Sequence, residues 1–315
     1  GIHLGYDLRR RSLTSPRRRL LTSIRSRSSQ KLYRGLAGSG PDQTRQEPQM
    51  QLLDNLFGLG GKTAFVTGAG SGLGRVIAEG YAQVGAHVIC ADLLPERVDE
   101  VVQAIRDAGG KAEGCALDVS DEAAVAGFAD GMAHDNIDIL VNFAGVATPP
   151  TMTHELSTKD WRRGVDISLT GTFFMTRAML PKMREKGGSI INVASILGLG
   201  GYYPDFPASS ADYAAAKAGV IGFTRQVAVE YASEAVRANV IAPGWHGGTR
   251  LGDGRRKERT KEEEERFYTE MNRRIPMKRR GDASEILGLA LYLASPASGY
   301  LTGQTITQDG GWTAC

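Results

Sequence analysis

The sequence is poor in cysteine. Cys90, Cys115 and Cys315 are the only three in 315 residues. An odd, sparse set excludes a disulfide framework and fits a reducing compartment. No apolar run reaches the roughly 20 residues that a membrane-crossing helix needs. No self-similarity at the periods of solenoid repeats is present, so a stacked-repeat architecture is excluded. There is little excess charge. The formal net charge is +3, which asks for no particular partner. No metal is expected.

The charge that exists is unevenly spread. Arginines 9–11, 17–19, 25, 27, 34 and 45, with Lys31, face only Asp7 and Asp42 in the first 45 residues. Residues 1–55 are therefore expected to be a basic, disordered extension. A transit-type targeting segment within residues 1–50, which would make the protein mitochondrial rather than cytoplasmic, and a basic tail that binds an acidic surface both stay open. The rest of the chain is close to neutral, so nucleic-acid binding by it is not expected.

Glycine is plentiful, at 40 residues, as suits many tight strand-to-helix turns. From about residue 56 onward, short apolar runs alternate with helical patterns. TAFVTG with its closing turn, AHVICAD (86–92), residues 111–117, 137–141, 189–195, 237–241 and 304–308 read as strands. Helices are predicted over 72–84, 96–108, 121–134, 159–185, 213–232 and 283–294. Continuous apolar strands between helices predict a doubly wound, seven-stranded parallel sheet covered on both faces, as one domain over 56–315. The charge-dense stretch 254–274 reads as a solvated helix in a position where it could act as a lid.

Two local patterns carry chemistry. TGAGSGLG (Thr67–Gly74) lies between the first predicted strand and the first helix. Gly68, Gly72 and Gly74 there permit a tight turn and close backbone approach, with the N–H groups of Ser71, Gly72 and Leu73 turned toward a pyrophosphate. Asp92 closes the second strand, where a carboxylate accepts from adenosine ribose hydroxyls and repels a 2′-phosphate. This favours NAD over NADP, with Arg75 as a possible softening influence. The second pattern is Tyr213-x-x-x-Lys217, a phenol and an ammonium on one helix face. A nearby ammonium is expected to lower the phenol's pKa from about 10 and make it a usable acid or base.

Thr67–Gly74, the turn Asn142-Phe143-Ala144-Gly145, Ser195, Tyr213-x-x-x-Lys217 and Pro243-Gly244 occur in the order that resembles the short-chain dehydrogenase/reductase family, over about residues 56–313. The resemblance implies a Rossmann fold and hydride transfer between a nicotinamide cofactor and a small alcohol or ketone. It implies that Ser195 holds the substrate oxygen, that Tyr213 exchanges the proton and that Lys217 binds the nicotinamide ribose. It also implies roles for Asp118 and Val119 beside the adenine, for Asn142, Ala144 and Gly145 at the sheet edge, and for Pro243, Gly244 and Thr249 around the nicotinamide. Thr249 is spaced one residue further from the proline than is usual. Ser168 stands where the family places an asparagine that bulges the long helix and holds a proton-relaying water. An altered or slower relay is expected.

The lengthened stretch 201–212 before Tyr213, with Tyr202, Tyr203, Asp205 and Phe206, is expected to line the substrate pocket. With residues 274–295 and the GWTA ending, it makes the chain look nearest to sugar-acid and polyol dehydrogenases of the gluconate 5-dehydrogenase type. A 3-oxoacyl-acyl-carrier-protein reductase is the alternative, with Arg162-Arg163 or Arg255-Arg256 as a patch for the carrier. A non-catalytic NAD(H)-binding sensor or scaffold is a third. The family commonly forms tetramers or dimers, so a homo-oligomer is expected.

Overall fold

The computed structural model describes residues 51–201, 211–248 and 260–314; the fold below belongs to the unit Leu52–Cys315. Strands β1 (Thr63–Thr67), β2 (His87–Asp92), β3 (Lys111–Ala116), β4 (Ile139–Asn142), β5 (Gly188–Val193), β6 (Val236–Pro243) and β7 (Thr305–Gln308) form one sheet in the order β3-β2-β1-β4-β5-β6-β7. Every pairing in it is parallel.

Successive strand residues point to opposite faces, and each face has its own core. Val66, Val88, Cys90, Ile139, Val141, Ile191 and Ile241 pack beneath α1 (Gly72–Gln83), α2 (Pro95–Asp107) and α8 (Ile286–Ala294). Phe65, Ile89, Ala91, Leu140, Ile190 and Ala238 pack on the other face, with Val125 and Ala129 of α3 (Glu122–Gly131) and Met175 and Met179 of α5 (Gly171–Met183). This two-sided burial is why the strands read as unbroken apolar runs. Each fully buried Ile, Leu or Phe contributes about 1.5–3 kcal/mol.

Strand order reverses between β1 and β4. The crevice beyond their carboxyl ends is where a doubly wound sheet offers a ligand site.

The expected long helix is not continuous. It runs as α4 (Thr158–Val165), a π-helical segment at Asp166–Thr170, then α5. The extra residue in that turn throws Ser168 inward, where it is fully buried. The helix expected to reach residue 134 ends at Gly131, where Met132 turns to an extended conformation. The helix bearing Tyr213, α6, starts at Ala211 and ends at Tyr231. The solvated helix expected within 254–274 is α7 (Lys261–Arg274), opened by a Thr260–Glu263 capping box.

Candidate active site

The glycine turn is built by β1 and α1. Gly68 and Gly72 adopt φ of 65° and 58°, the left-handed region that glycine enters without steric cost. Gly74 answers a different need: a Cβ there would lie 2.3 Å from the carbonyl oxygen of Gly68. Ser71 is the N-cap and makes no side-chain cap. The first backbone bond of the helix runs from Arg75 N–H to the Ser71 carbonyl, at 3.2 Å. The N–H groups of Gly72, Leu73 and Gly74 precede it and open on the turn, the usual anion-binding end of a helix. Leu73 itself is buried under the turn.

Asp92 is fixed beside this turn. One carboxylate oxygen accepts from Gly70 N–H at 3.1 Å and the other from Leu94 N–H at 3.3 Å. Arg75 points its charge elsewhere, to Glu79 at 2.7 Å on its own helix and to Glu100 at 3.8 Å.

The glycine turn is also tied to the next crossover. Thr67 Oγ1 accepts from Phe143 N–H and Ala144 N–H, both at 3.0 Å. Asn142 ends β4 and donates to Asn192 Oδ1 at 2.8 Å and Thr176 Oγ1 at 3.1 Å. Asn192 donates in turn to Thr224 of α6, at 2.9 Å. This polar chain crosses from β4 through β5 to the helix that carries Tyr213.

Ser195, Tyr213, Lys217, Ser168 and Gly145 converge. Ser195 follows β5, and its Oγ accepts from Leu197 N–H at 3.2 Å. The Tyr213 hydroxyl is hydrogen-bonded to Ser195. Lys217 Nζ donates to the Val193 carbonyl at 2.7 Å and lies 5.8 Å from the centre of the Tyr213 ring. A Cβ on Gly145 would fall 3.2 Å from Lys217 Nζ and 3.4 Å from Ser168 Oγ; the glycine leaves room for both. Ser168 Oγ accepts from Val146 N–H at 3.2 Å, and its carbonyl accepts from Thr172 Oγ1 at 3.0 Å. The inward π-helical turn is therefore formed with serine at this position.

The electrostatics differ from the sequence expectation. Burial pushes the Tyr213 phenol up to about 12, and the Ser195 hydrogen bond opposes this only in part. Burial also pulls Lys217 down to about 8. In the protein alone, desolvation outweighs the Ser195 hydrogen bond on the phenol.

Among the other expected residues, Asp118 is exposed and accepts from Ser120 N–H at 2.9 Å. Val119 is buried against α5, where a Cβ on Gly171 would lie 2.8 Å from its Cγ2. Pro243 closes β6, and Gly244 N–H donates to the Gln308 carbonyl at 2.9 Å. Arg162 and Arg163 are exposed on α4. Thr249, residues 202–206, Arg255-Arg256, Cys315 and the basic segment lie outside the described residues.

Sequence reasoning missed Asp212 and Thr148. The Asp212 carboxylate, fully buried one residue before Tyr213, accepts from Thr148 Oγ1 at 2.8 and 2.9 Å. It packs on Gly164 of α4, where a Cβ would be 2.0 Å from Asp212 Oδ2. Nothing in the DYAAAK pattern distinguishes this aspartate from a helix-capping one.

The family model described as enoyl-(acyl carrier protein) reductase matches residues 68–313. The chain belongs to the short-chain dehydrogenase/reductase family. It is an oxidoreductase that uses a nicotinamide dinucleotide on CH–OH groups. An uncharacterized oxidoreductase, YxbG of Bacillus subtilis, is 42% identical over 253 residues, covering 79% of this chain and 90% of that protein. Cis-4-hydroxycyclohexanecarboxylate dehydrogenase of Sinomonas cyclohexanicum is 38% identical over 256 residues, covering 80% and 97%. The crystal structure of a gluconate 5-dehydrogenase from Burkholderia cenocepacia, in complex with NADP and tartrate, superposes with a TM-score of 0.73 at 31% identity, covering 83% and 98%. Among the described residues of this short-chain dehydrogenase/reductase, no helix is long and apolar enough to cross a membrane.

Proposed function

We propose that the protein is a dehydrogenase of hydroxy carboxylates, of the sugar-acid class, that prefers NAD over NADP. The observation that carries the site is the buried Ser195–Tyr213–Lys217 cluster beside a glycine turn whose geometry only glycine fits. The cradle suits a dinucleotide: Gly68, Ser71, Gly72, Leu73 and Gly74 receive the pyrophosphate, Asp92 the adenosine ribose, Asp118 and Val119 the adenine side, and Asn142, Ala144, Gly145, Pro243, Gly244 and Thr249 the edge around the nicotinamide. When bound, that group supplies the two-electron hydride acceptor or donor.

The chain's own residues do the rest. Ser195 Oγ holds the substrate oxygen next to the phenol. Tyr213 takes the hydroxyl proton during oxidation and returns it during reduction. Lys217 adds positive charge to favour the phenolate and passes protons outward past Ser168. A serine offers fewer hydrogen bonds to a relaying water than an asparagine does, so the relay is slower than in relatives with the amide. The dinucleotide-binding catalytic domain occupies residues 56–315, and residues 1–55 are an extension outside the chemistry.

The NAD preference is supported by Asp92 and by the engagement of Arg75 with Glu79. Against it stands the NADP held by the Burkholderia structure. The carboxylate-bearing substrate is supported by two relatives named for hydroxy acids, one cyclic and one a sugar acid. A 3-oxoacyl-acyl-carrier-protein reductase is the second reading, favoured by the relative of that name in Thermotoga maritima, 34% identical over 256 residues. Initial rates with NAD and with NADP decide between them, measured on gluconate, cis-4-hydroxycyclohexanecarboxylate and a 3-hydroxyacyl thioester. Turnover confined to NADP and the thioester would replace the first reading by the second.

A further inference from the structure

A second cluster of ligand-type side chains lies at the opposite edge of the sheet from the active site. His87 is the first residue of β2, whose last residue is Asp92. Five residue steps along the strand separate the two, about 16 Å. In the parallel pairing of β2 with β3, Ile89 sits opposite Glu113 and His87 opposite Lys111. His87 and Glu113 therefore share one face of the sheet, two rungs apart. His134 reaches the same point from the connector after α3.

The three side chains converge. The candidate ligand atoms of His87, Glu113 and His134 all lie within 4.8 Å of one another. His134 Nε2 makes a close contact with Glu113 Oε1, and His87 Nε2 is 3.9 Å from the same oxygen. The two imidazoles stand edge to face, 5.1 Å between centres. The connector is held from beneath: Lys182 Nζ donates to the His134 carbonyl at 3.1 Å, and Ile137 N–H donates to the Lys182 carbonyl at 3.1 Å. All three side chains are between a quarter and a half exposed, so an ion can enter from solvent.

We propose that His87, Glu113 and His134 form a binding site for one zinc-class divalent ion, separate from the dinucleotide site. Two imidazoles and one carboxylate are a borderline-soft donor set suited to zinc. Tetrahedral ligation at about 2.0–2.1 Å places donor atoms roughly 3.4 Å apart. Side-chain adjustments that change the donor separations by roughly 1 Å bring the three donors to that spacing, with water as the fourth ligand. The ion would tie the edge strand β3 and the connector after α3 to β2. Its effect is on stability and not on hydride transfer, because no residue of the dinucleotide or substrate site is among its ligands.

The test uses the full chain, stripped with EDTA and dialysed at pH 7.5, where imidazoles can ligate. Zinc chloride is titrated calorimetrically. Cobalt(II) is followed by visible absorption, which reports low-coordinate geometry. The expected result is one saturable zinc site per chain, a visible cobalt band, and a rise in Tm of about 5 °C at a hundredfold excess over Kd. The His87→Gln/His134→Gln double variant should lose the cobalt band and weaken zinc binding at least tenfold, with dehydrogenase turnover unchanged. Glu113→Gln, a single conservative change, should weaken binding in the same direction and serves if the double variant fails to fold. The absence of saturable binding would overturn the proposal and leave an ion pair only. So would zinc affinity that stays unchanged in Glu113→Gln and in whichever histidine variant folds.

Discussion

The Tyr213 phenol and Lys217 ammonium are both buried, and each bears that cost in a measurable way. Tyr213→Phe removes one oxygen and leaves the ring packing intact. Turnover should fall by about 10²–10⁴-fold while cofactor affinity, read by nucleotide fluorescence, changes little. Retention of turnover would remove Tyr213 from the reaction. For Lys217, the folded pKa of about 8 lies below the ordinary 10.5. The penalty for burying the charge is thus fully present below pH 8 and fades as pH rises toward 10.5. Compared with Lys217→Met, the wild-type protein should gain stability over that window, by roughly 3 kcal/mol at most. Denaturant midpoints of both proteins at pH 7.5 and 9.5 check the sign. Ser168 is one position at which this chain departs from the pattern that the family resemblance implies. Ser168→Asn is expected to raise the rate if it restores the relay; a lower rate at every pH would count against that role.

At the level of elements, α4 and α6 meet through a glycine against a carboxylate. Gly164→Ala drives a methyl to within 2.0 Å of Asp212 Oδ2, so the first turn of α6 must shift, and Tyr213 with it. Overpacking of this kind costs about 1–3 kcal/mol. The expected outcome is a drop in Tm of a few degrees and a loss of kcat larger than any change in cofactor affinity. Unchanged kcat would mean that α6 is placed by other contacts. The alternation of strands and helices was legible in the sequence because a two-sided sheet writes itself as apolar runs between amphipathic segments. The glycine turn and the Tyr213–Lys217 pair were legible because their geometry is local: a φ near 65° at Gly68, one helical turn between Tyr213 and Lys217. The Asp212–Thr148 pair and the His87–Glu113–His134 cluster were not. Their members are separated by 64, 26 and 21 residues and meet only through the register of β2 with β3 and the packing of α6. The upward push of burial on the Tyr213 phenol in the protein alone was not legible for a related reason, since burial depends on the whole fold and spacing reveals only the neighbouring charge.

For the molecule as a whole, one strand order places the cofactor cradle and the proton-transfer cluster along the same carboxyl edge. Phe173 on α5 and Val229 on α6 are exposed, Val229 at 79%. We propose that apolar side chains on these two helices are covered in the homo-oligomer that the family resemblance implies; light scattering should return a mass of two or four chains, and a monomer would refute it. A chain beginning near Gln51 is expected to keep the full turnover number; a loss of turnover would give the basic segment a part in the reaction. The most direct test of the central claim is the initial rate of NADH formation from gluconate and from cis-4-hydroxycyclohexanecarboxylate, with the Tyr213→Phe protein measured beside the wild type. The account predicts turnover of at least one of these acids with NAD, higher kcat/KM than with NADP, and a loss of about two orders of magnitude or more in the variant. No turnover of either acid by a protein that still binds the dinucleotide, or equal rates in the two proteins, would contradict it.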